Sequence, residues 1–223
     1  MQRWRRGEAI VKAMILAAGR GERLRPLTDS LPKPLLEVRG KPLIVRHLEA
    51  LSAAGFTDVV INLSWLGDLI RDRLGDGDEF GLAIEYSVEP QALETAGGIL
   101  QALPLLGERF IVINADIFTD YDFARLRQCD SPAHLVLVEN PPHHPQGDFV
   151  LKRALIGAEG SPRYTFSGIS AYHNSFFDGL SPGKQALAPL LYAAAARQQV
   201  TGELLQGEWI DIGTLERLKA LNA

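Results

Sequence analysis

Apolar residues in this chain fall into two alternating kinds of run. Short runs at residues 13–16, Asp58–Leu63, 82–87, Arg109–Asn114 and 134–138 read as strands, those at 13–16 and 134–138 as buried ones. Between them, residues 41–54 carry Ile44, Leu48 and Leu51 at helical spacing, with Pro42 near the start and Gly55 past the end. Residues 65–74 place Leu66, Leu69, Ile70 and Leu74 on one stripe, and 95–103 and 121–129 also read as helical. Strands alternating with helices predict an α/β fold, a mostly parallel mixed sheet with helices on both faces. The second half departs from that rhythm. Residues 148–156 and 164–172 flank a turn at 157–162, which predicts a small antiparallel part, and helices are expected over 184–198 and 214–221. This pattern predicts one domain over 13–223. The arginine-rich residues 1–12 read as a disordered leader.

Composition narrows the function classes. The 223 residues are 46% apolar and 22% charged, and 27 acidic against 23 basic residues give a net charge of -4. That balance argues against a nucleic-acid binder working by bulk charge. No apolar run approaches the ~20 residues of a membrane span. The lone Cys129 excludes an internal disulfide and a cysteine zinc cage. The expectation is a cytoplasmic protein, monomeric or a small homo-oligomer, without nucleic-acid or membrane partners.

The chemistry concentrates after the first strand, in Leu16-Ala17-Ala18-Gly19-Arg20-Gly21-Glu22-Arg23-Leu24-Arg25-Pro26-Leu27-Thr28. Small residues there let backbone amides approach an anion, and Arg23 and Arg25 add donors suited to phosphate. With leucine at 24 it is not a dinucleotide fingerprint, and without Gly-Lys-Ser/Thr it is not a P-loop. Two prolines pin Lys33 in Pro32-Lys33-Pro34. An apolar strand ends at Asp116, and Trp209-Ile210-Asp211-Ile212-Gly213-Thr214 sets a second aspartate before the last helix. Each aspartate suits either a turn cap or a metal post.

Residues 16–34 resemble the signature of the sugar-1-phosphate nucleotidylyltransferase family, LAAGxGxRLxPLT…PKP. The resemblance implies a Rossmann-like nucleotidyltransferase fold whose substrates are a nucleoside triphosphate and a sugar 1-phosphate. It implies that Leu16, Ala17, Ala18, Gly19 and Gly21 hold the nucleotide, that Arg23 and Lys33 contact its phosphates, and that Asp116 and Asp211 carry Mg²⁺. Ala115 stands where the family often has glycine. Glu94, Thr95, Gly97 and Gly98 match an L-x-T-A-G segment that lies against the base and sugar. Ser167 and Gly168 match a sugar-side F-[ST]-G-I strand. Asn140 stands where many members carry the lysine of Glu-Lys-Pro, which leaves the sugar phosphate without that cation and makes Lys152 and Arg153 candidates. Asn62-Leu63-Ser64-Trp65, residues 140–149 and 164–169 are similar to a branch that uses UTP and N-acetylmuramic acid α-1-phosphate in peptidoglycan sugar recycling. His143 and His144 read as a solvated loop, Trp65 as packing and Cys129 as structural. No general base is expected, because the attacking phosphate is already ionised.

Overall fold

A computed structural model describes residues 12–223, so the expected leader lies outside the described residues except for Lys12, which opens β1 (Lys12–Leu16). A two-residue ladder, β2 (Glu37–Val38) with β3 (Lys41–Pro42), precedes α1 (Leu43–Ala53). The helix therefore starts two residues later than its apolar spacing suggests. After β4 (Asp58–Leu63), Leu66 takes a left-handed conformation (φ 53°), which delays α2 (Gly67–Leu74). Then follow β5 (Ala83–Val88), α3 (Glu94–Leu106), β6 (Arg109–Asn114) and β7 (Ile117–Thr119). The expected helix at 121–129 is a 3-10 helix, Phe123–Gln128, begun by the Asp122 carboxylate accepting from the Ala124 amide.

β8 (Ala133–Val138) leads to the region read as one strand at 148–156. It is a hairpin, β9 (Phe149–Lys152) and β10 (Leu155–Gly157), turning on Arg153 and Ala154 with φ of 49° and 64°. Two-residue hairpins need two left-handed residues, usually Asn-Gly, so no turn signal marks this one in the sequence. The long β11 (Arg163–His173) is followed by α4 (Leu187–Ala196), β12 (Val200–Leu204), β13 (Trp209–Asp211) and α5 (Leu215–Leu221). The last helix opens where the Thr214 side chain accepts from the Arg217 amide.

Among the described residues the main sheet has nine strands in the order β5-β4-β1-β6-β11-β8-β12-β10-β9. Strands β5, β4, β1 and β6 are parallel. The antiparallel part is larger than a single pair: β9 also bonds to β11, closing β11-β8-β12-β10-β9 into a ring. Alternate residues of β1 face opposite helical layers, as period two requires. Ala13 and Ile15 pack with Ile44, Leu48 and Ile70 from α1 and α2. Met14 packs with Ile99 of α3 and Leu187 and Leu191 of α4. A third cluster joins Leu24 of the glycine loop to Phe118, Ile212 and Leu218. No helix among the described residues is long and apolar enough to cross a membrane.

Candidate active site

Open α/β sheets bind ligands beyond the carboxyl ends of their strands. A cleft of about 220 Å³ lies there, lined by Leu16, Ala17, Ala18 and Gly19 of the loop after β1, with Lys33, Glu94, Thr95 and Asp116 opposite. The buried Asn62, at the end of β4, ties the loop down. Its Oδ1 accepts from the Ala17 amide at 2.7 Å and its Nδ2 donates to Glu89 at 2.6 Å. The other Glu89 oxygen accepts from the Leu93 amide at 2.9 Å, so one buried carboxylate orients the start of α3. Gly21 does not line the cleft. It turns the loop at φ 70°, and its carbonyl accepts from Thr28 Oγ1 at 2.9 Å. Trp65 braces the same loop: its Nε1 donates to the Thr28 carbonyl at 3.0 Å and the Arg20 guanidinium stacks 3.5 Å over its ring.

Lys33 Nζ donates to Asp116 Oδ2 at 2.5 Å. Pairing of β7 with β13 sets Asp211 opposite Ile117, and the Ile212 amide donates to the Asp116 carbonyl at 2.8 Å. The backbones of the two aspartates, distant in sequence, thereby become neighbours, with Asp116 lining the cleft and Asp211 lining an adjoining cavity beside His143 and Arg217. Asp211 Oδ1 accepts from Arg217 Nη1, and His143 Nε2 lies 3.0 Å from the same oxygen. His143 is more than solvated, since its Nε2 is 3.2 Å from Arg217 Nη1, in hydrogen-bond contact. His144 is likewise held, 3.0 Å from Asp148. Arg23 reaches the same place: a side chain at Gly213 would begin 3.2 Å from Arg23 Nη2 and 3.0 Å from Asp211 Oδ2. Behind Asp116, His47 is buried beside Phe123 and hydrogen-bonds the Ile117 backbone; burial pushes its pKa down to about 4.

A second cavity of about 440 Å³ shares Glu94, Thr95 and Asn114 with the first, and Phe149, Phe166 and Tyr192 wall it. Asn114 owes its position to Gly168, whose φ is 82° and whose Cβ would stand 2.5 Å from Asn114 Nδ2. Gly168 thus serves the site by making room rather than by lining it. Four other residues expected at the ligands make contacts within the chain. Ser167 is buried in a bulge of β11, its hydroxyl donating to the Val136 carbonyl at 2.7 Å. The Asn140 amide is spent on the chain, donating to the Arg163 carbonyl at 2.9 Å and accepting from Thr165 Oγ1 at 2.9 Å. Gly97 and Gly98 are buried against residues 183–185 and against Glu89 and Asn62 respectively. The amides of Ala96 and Gly97 donate to the Gln185 carbonyl, so residues 184–186 form a strap across the start of α3 instead of the expected helix. Lys152 and Arg153 sit at the β9–β10 turn, where Lys152 lines a different cavity with Ala195 and Gln198. Cys129 is half-buried, and burial raises its thiol pKa, in keeping with a structural thiol.

The model of the nucleotidyl transferase family matches residues 12–149, more than half of the chain. This chain belongs to the sugar-1-phosphate nucleotidyltransferase family. Among its relatives, the N-acetylmuramate alpha-1-phosphate uridylyltransferase of Neisseria meningitidis is 53% identical, over 96% of this chain and 97% of that one. A mannose-1-phosphate guanyltransferase of Schizosaccharomyces pombe is 31% identical over 91% of this chain and 61% of its own length. A solved structure, a putative glucose-1-phosphate thymidylyltransferase from Bacillus anthracis in complex with a sucrose, superposes with a TM-score of 0.82 at 27% identity, covering 95% and 93% of the two chains.

Within this nucleotidyltransferase, sequence reasoning missed the Asn62–Glu89 clasp and the Arg217–Asp211 pair. Buried Asn and Glu at strand ends were the available signal for the first. Nothing in the pattern announced the second.

Proposed function

We propose that this nucleotidyltransferase moves the uridylyl group of UTP onto N-acetylmuramic acid α-1-phosphate, releasing pyrophosphate and a UDP-sugar. The identity of 53% with the meningococcal uridylyltransferase, spread over nearly the whole of both chains, carries the reading. Residues 13–223 act as one domain in this view. Consumption of UTP implies a cytoplasmic enzyme, and the sugar implies a role in peptidoglycan recycling.

The donor set fits Mg²⁺. Lys33 holds one oxygen of Asp116, while Arg217 holds one oxygen of Asp211. The other oxygen of each accepts no hydrogen bond among the described residues. No cluster of three His, Cys, Asp or Glu suited to a metal exists among them either. Mg²⁺ takes one or two carboxylates and completes its octahedron with phosphates and waters. When bound it would polarise the α-phosphate and offset charge developing there.

The chain's own residues do the rest by position and charge. The glycine loop, clasped by Asn62, cradles the triphosphate, and Arg23 and Lys33 offset the negative charge of the departing pyrophosphate. Asn114, shared by both cavities, directs the sugar phosphate towards the α-phosphorus. Its oxygen attacks as an anion, so no side chain must remove a proton.

Pyrophosphate release with Mg²⁺ and UTP tests the proposal, with N-acetylmuramate 1-phosphate compared against N-acetylglucosamine 1-phosphate and glucose 1-phosphate. Preference for the muramic sugar supports it. Turnover only with another sugar, or with dTTP or GTP, keeps the reaction and overturns the assigned substrates. No turnover with any pair makes the chain a nucleotide-sugar sensor.

A further inference from the structure

The two candidate metal carboxylates share a construction that the reaction alone does not require. Each has one oxygen engaged by a cation of the chain, Lys33 on Asp116 and Arg217 on Asp211. The hold on Asp211 is the more elaborate. Arg217 Nη1 donates to the Asp211 backbone carbonyl at 3.1 Å as well as to Oδ1, so a single guanidinium nitrogen bridges main chain and carboxylate. His143 Nε2, on the loop after β8, approaches the same Oδ1 to 3.0 Å and lies 3.2 Å from Arg217 Nη1. Gly213 keeps the turn narrow enough for Arg217, two residues into α5, to fold back onto Asp211. The opposite oxygen, Oδ2, faces the side where Arg23 lies.

We propose that Arg217 is a positioning residue, itself hydrogen-bonded to His143, that pins Oδ1 of Asp211, limits this carboxylate to contact through Oδ2 alone, and so makes the site select Mg²⁺ over Ca²⁺. The argument is one of coordination chemistry. Ca²⁺ reaches six to eight oxygens at ~2.3–2.6 Å and gains from carboxylates that turn both oxygens towards it. Mg²⁺ requires an octahedron at ~2.0–2.1 Å and takes one oxygen from each carboxylate. A carboxylate free to rotate serves either ion. One whose Oδ1 is held by a guanidinium that a histidine braces in turn offers a single oxygen in a fixed direction, and rigid orientation of a ligand by its neighbours is how proteins tune metal sites. The inference rests on Asp116 and Asp211 being the metal carboxylates, and it involves no sugar.

The test is Mn²⁺ binding to the full chain followed by electron paramagnetic resonance, with Mg²⁺ and Ca²⁺ as competitors. It compares the wild type with Arg217→Gln, Arg217→Lys, His143→Gln and Asp211→Asn. Removing the guanidinium is expected to lower the preference for Mg²⁺ over Ca²⁺ about tenfold. Arg217→Lys, which keeps one donor for Oδ1, is expected to retain most of it. His143→Gln, at a partly exposed loop side chain, is expected to lower it about threefold, and it carries the test if Arg217→Gln does not fold. An unchanged Mg²⁺/Ca²⁺ ratio in both variants overturns the proposal, as does an equal gain or equal loss for both ions. If Asp211→Asn binds Mn²⁺ as the wild type does, the metal reading itself falls. If Asp211→Asn loses Mn²⁺ while the ratio stays fixed in the Arg217 and His143 variants, only the selectivity inference falls.

Discussion

Lys33 Nζ lies 2.5 Å from Asp116 Oδ2 across 83 residues of sequence. The lysine side chain is 11% exposed and the aspartate side chain 35%, so the pair stands at the cleft wall with its cation buried and its anion open to a ligand. Residues acting as one unit are non-additive when removed. Asp116→Asn is expected to lower kcat by about 10²-fold or more, a loss typical of groups that stabilise developing charge. Lys33→Gln is expected to fall almost as far, and the double variant little further. Steady-state pyrophosphate release across the four proteins measures the coupling; full additivity would separate the two roles.

Gly19 and Gly21 belong to one loop but answer different questions. A Cβ at Gly19 meets nothing within 4 Å, and the residue borders the cleft. Gly19→Ala should therefore leave the melting temperature almost unchanged and raise KM for the nucleotide about tenfold. Gly21 sits at φ 70° with Thr28 Cγ2 3.0 Å from the built Cβ. Gly21→Ala should cost about 1–2 kcal/mol in stability from backbone strain. Thermal melts paired with nucleotide kinetics separate the two effects.

Asn62 bridges the Ala17 amide and the Glu89 carboxylate, all in buried surroundings. Asn62→Leu leaves a buried amide and a buried carboxylate short of a partner, which costs about 2–4 kcal/mol. Urea denaturation should record that loss. Nucleotide affinity should weaken with it, because the loop is no longer tethered.

His47 makes stability depend on pH. Its folded pKa of about 4 lies below the ordinary 6.5, so between those values the unfolded chain binds the proton that the folded chain excludes. Stability from this group is constant above pH 6.5 and falls as pH drops towards 4, by up to about 1.4 kcal/mol per pH unit. His47→Gln should flatten the curve in that window. Part of the slope should remain, since burial also lowers the pKa of His134. Denaturation series at several pH values check the sign.

The central strands of the parallel half, β4, β1 and β6, were readable because they are largely buried and rich in apolar residues. The cleft-lining loop after β1 was readable because its small residues are contiguous. The aspartates were readable as strand ends. What escaped detection depends on contacts between distant residues. The β9–β10 turn uses Arg153 and Ala154, which no propensity assigns to a left-handed turn. The strap at Gln185 looks like helix from its flanking alanines until its carbonyl is seen accepting from the start of α3. Ser167 and Asn140 are singled out by their place in family segments, and their hydrogen bonds, which no sequence pattern marks, hold β8, β11 and the loop between them together.

Pairing of β7 with β13 carries a consequence for synthesis on the ribosome. A nascent chain that has reached Leu204 holds every strand of the nine-stranded sheet and the whole glycine loop, but it lacks Asp211 and Arg217. Asp116 then has no neighbouring carboxylate, and Phe118 of the third cluster has not met Ile212 and Leu218. On the proposed reading, nucleotide turnover therefore begins only after β13 and α5 have emerged from the exit tunnel and docked.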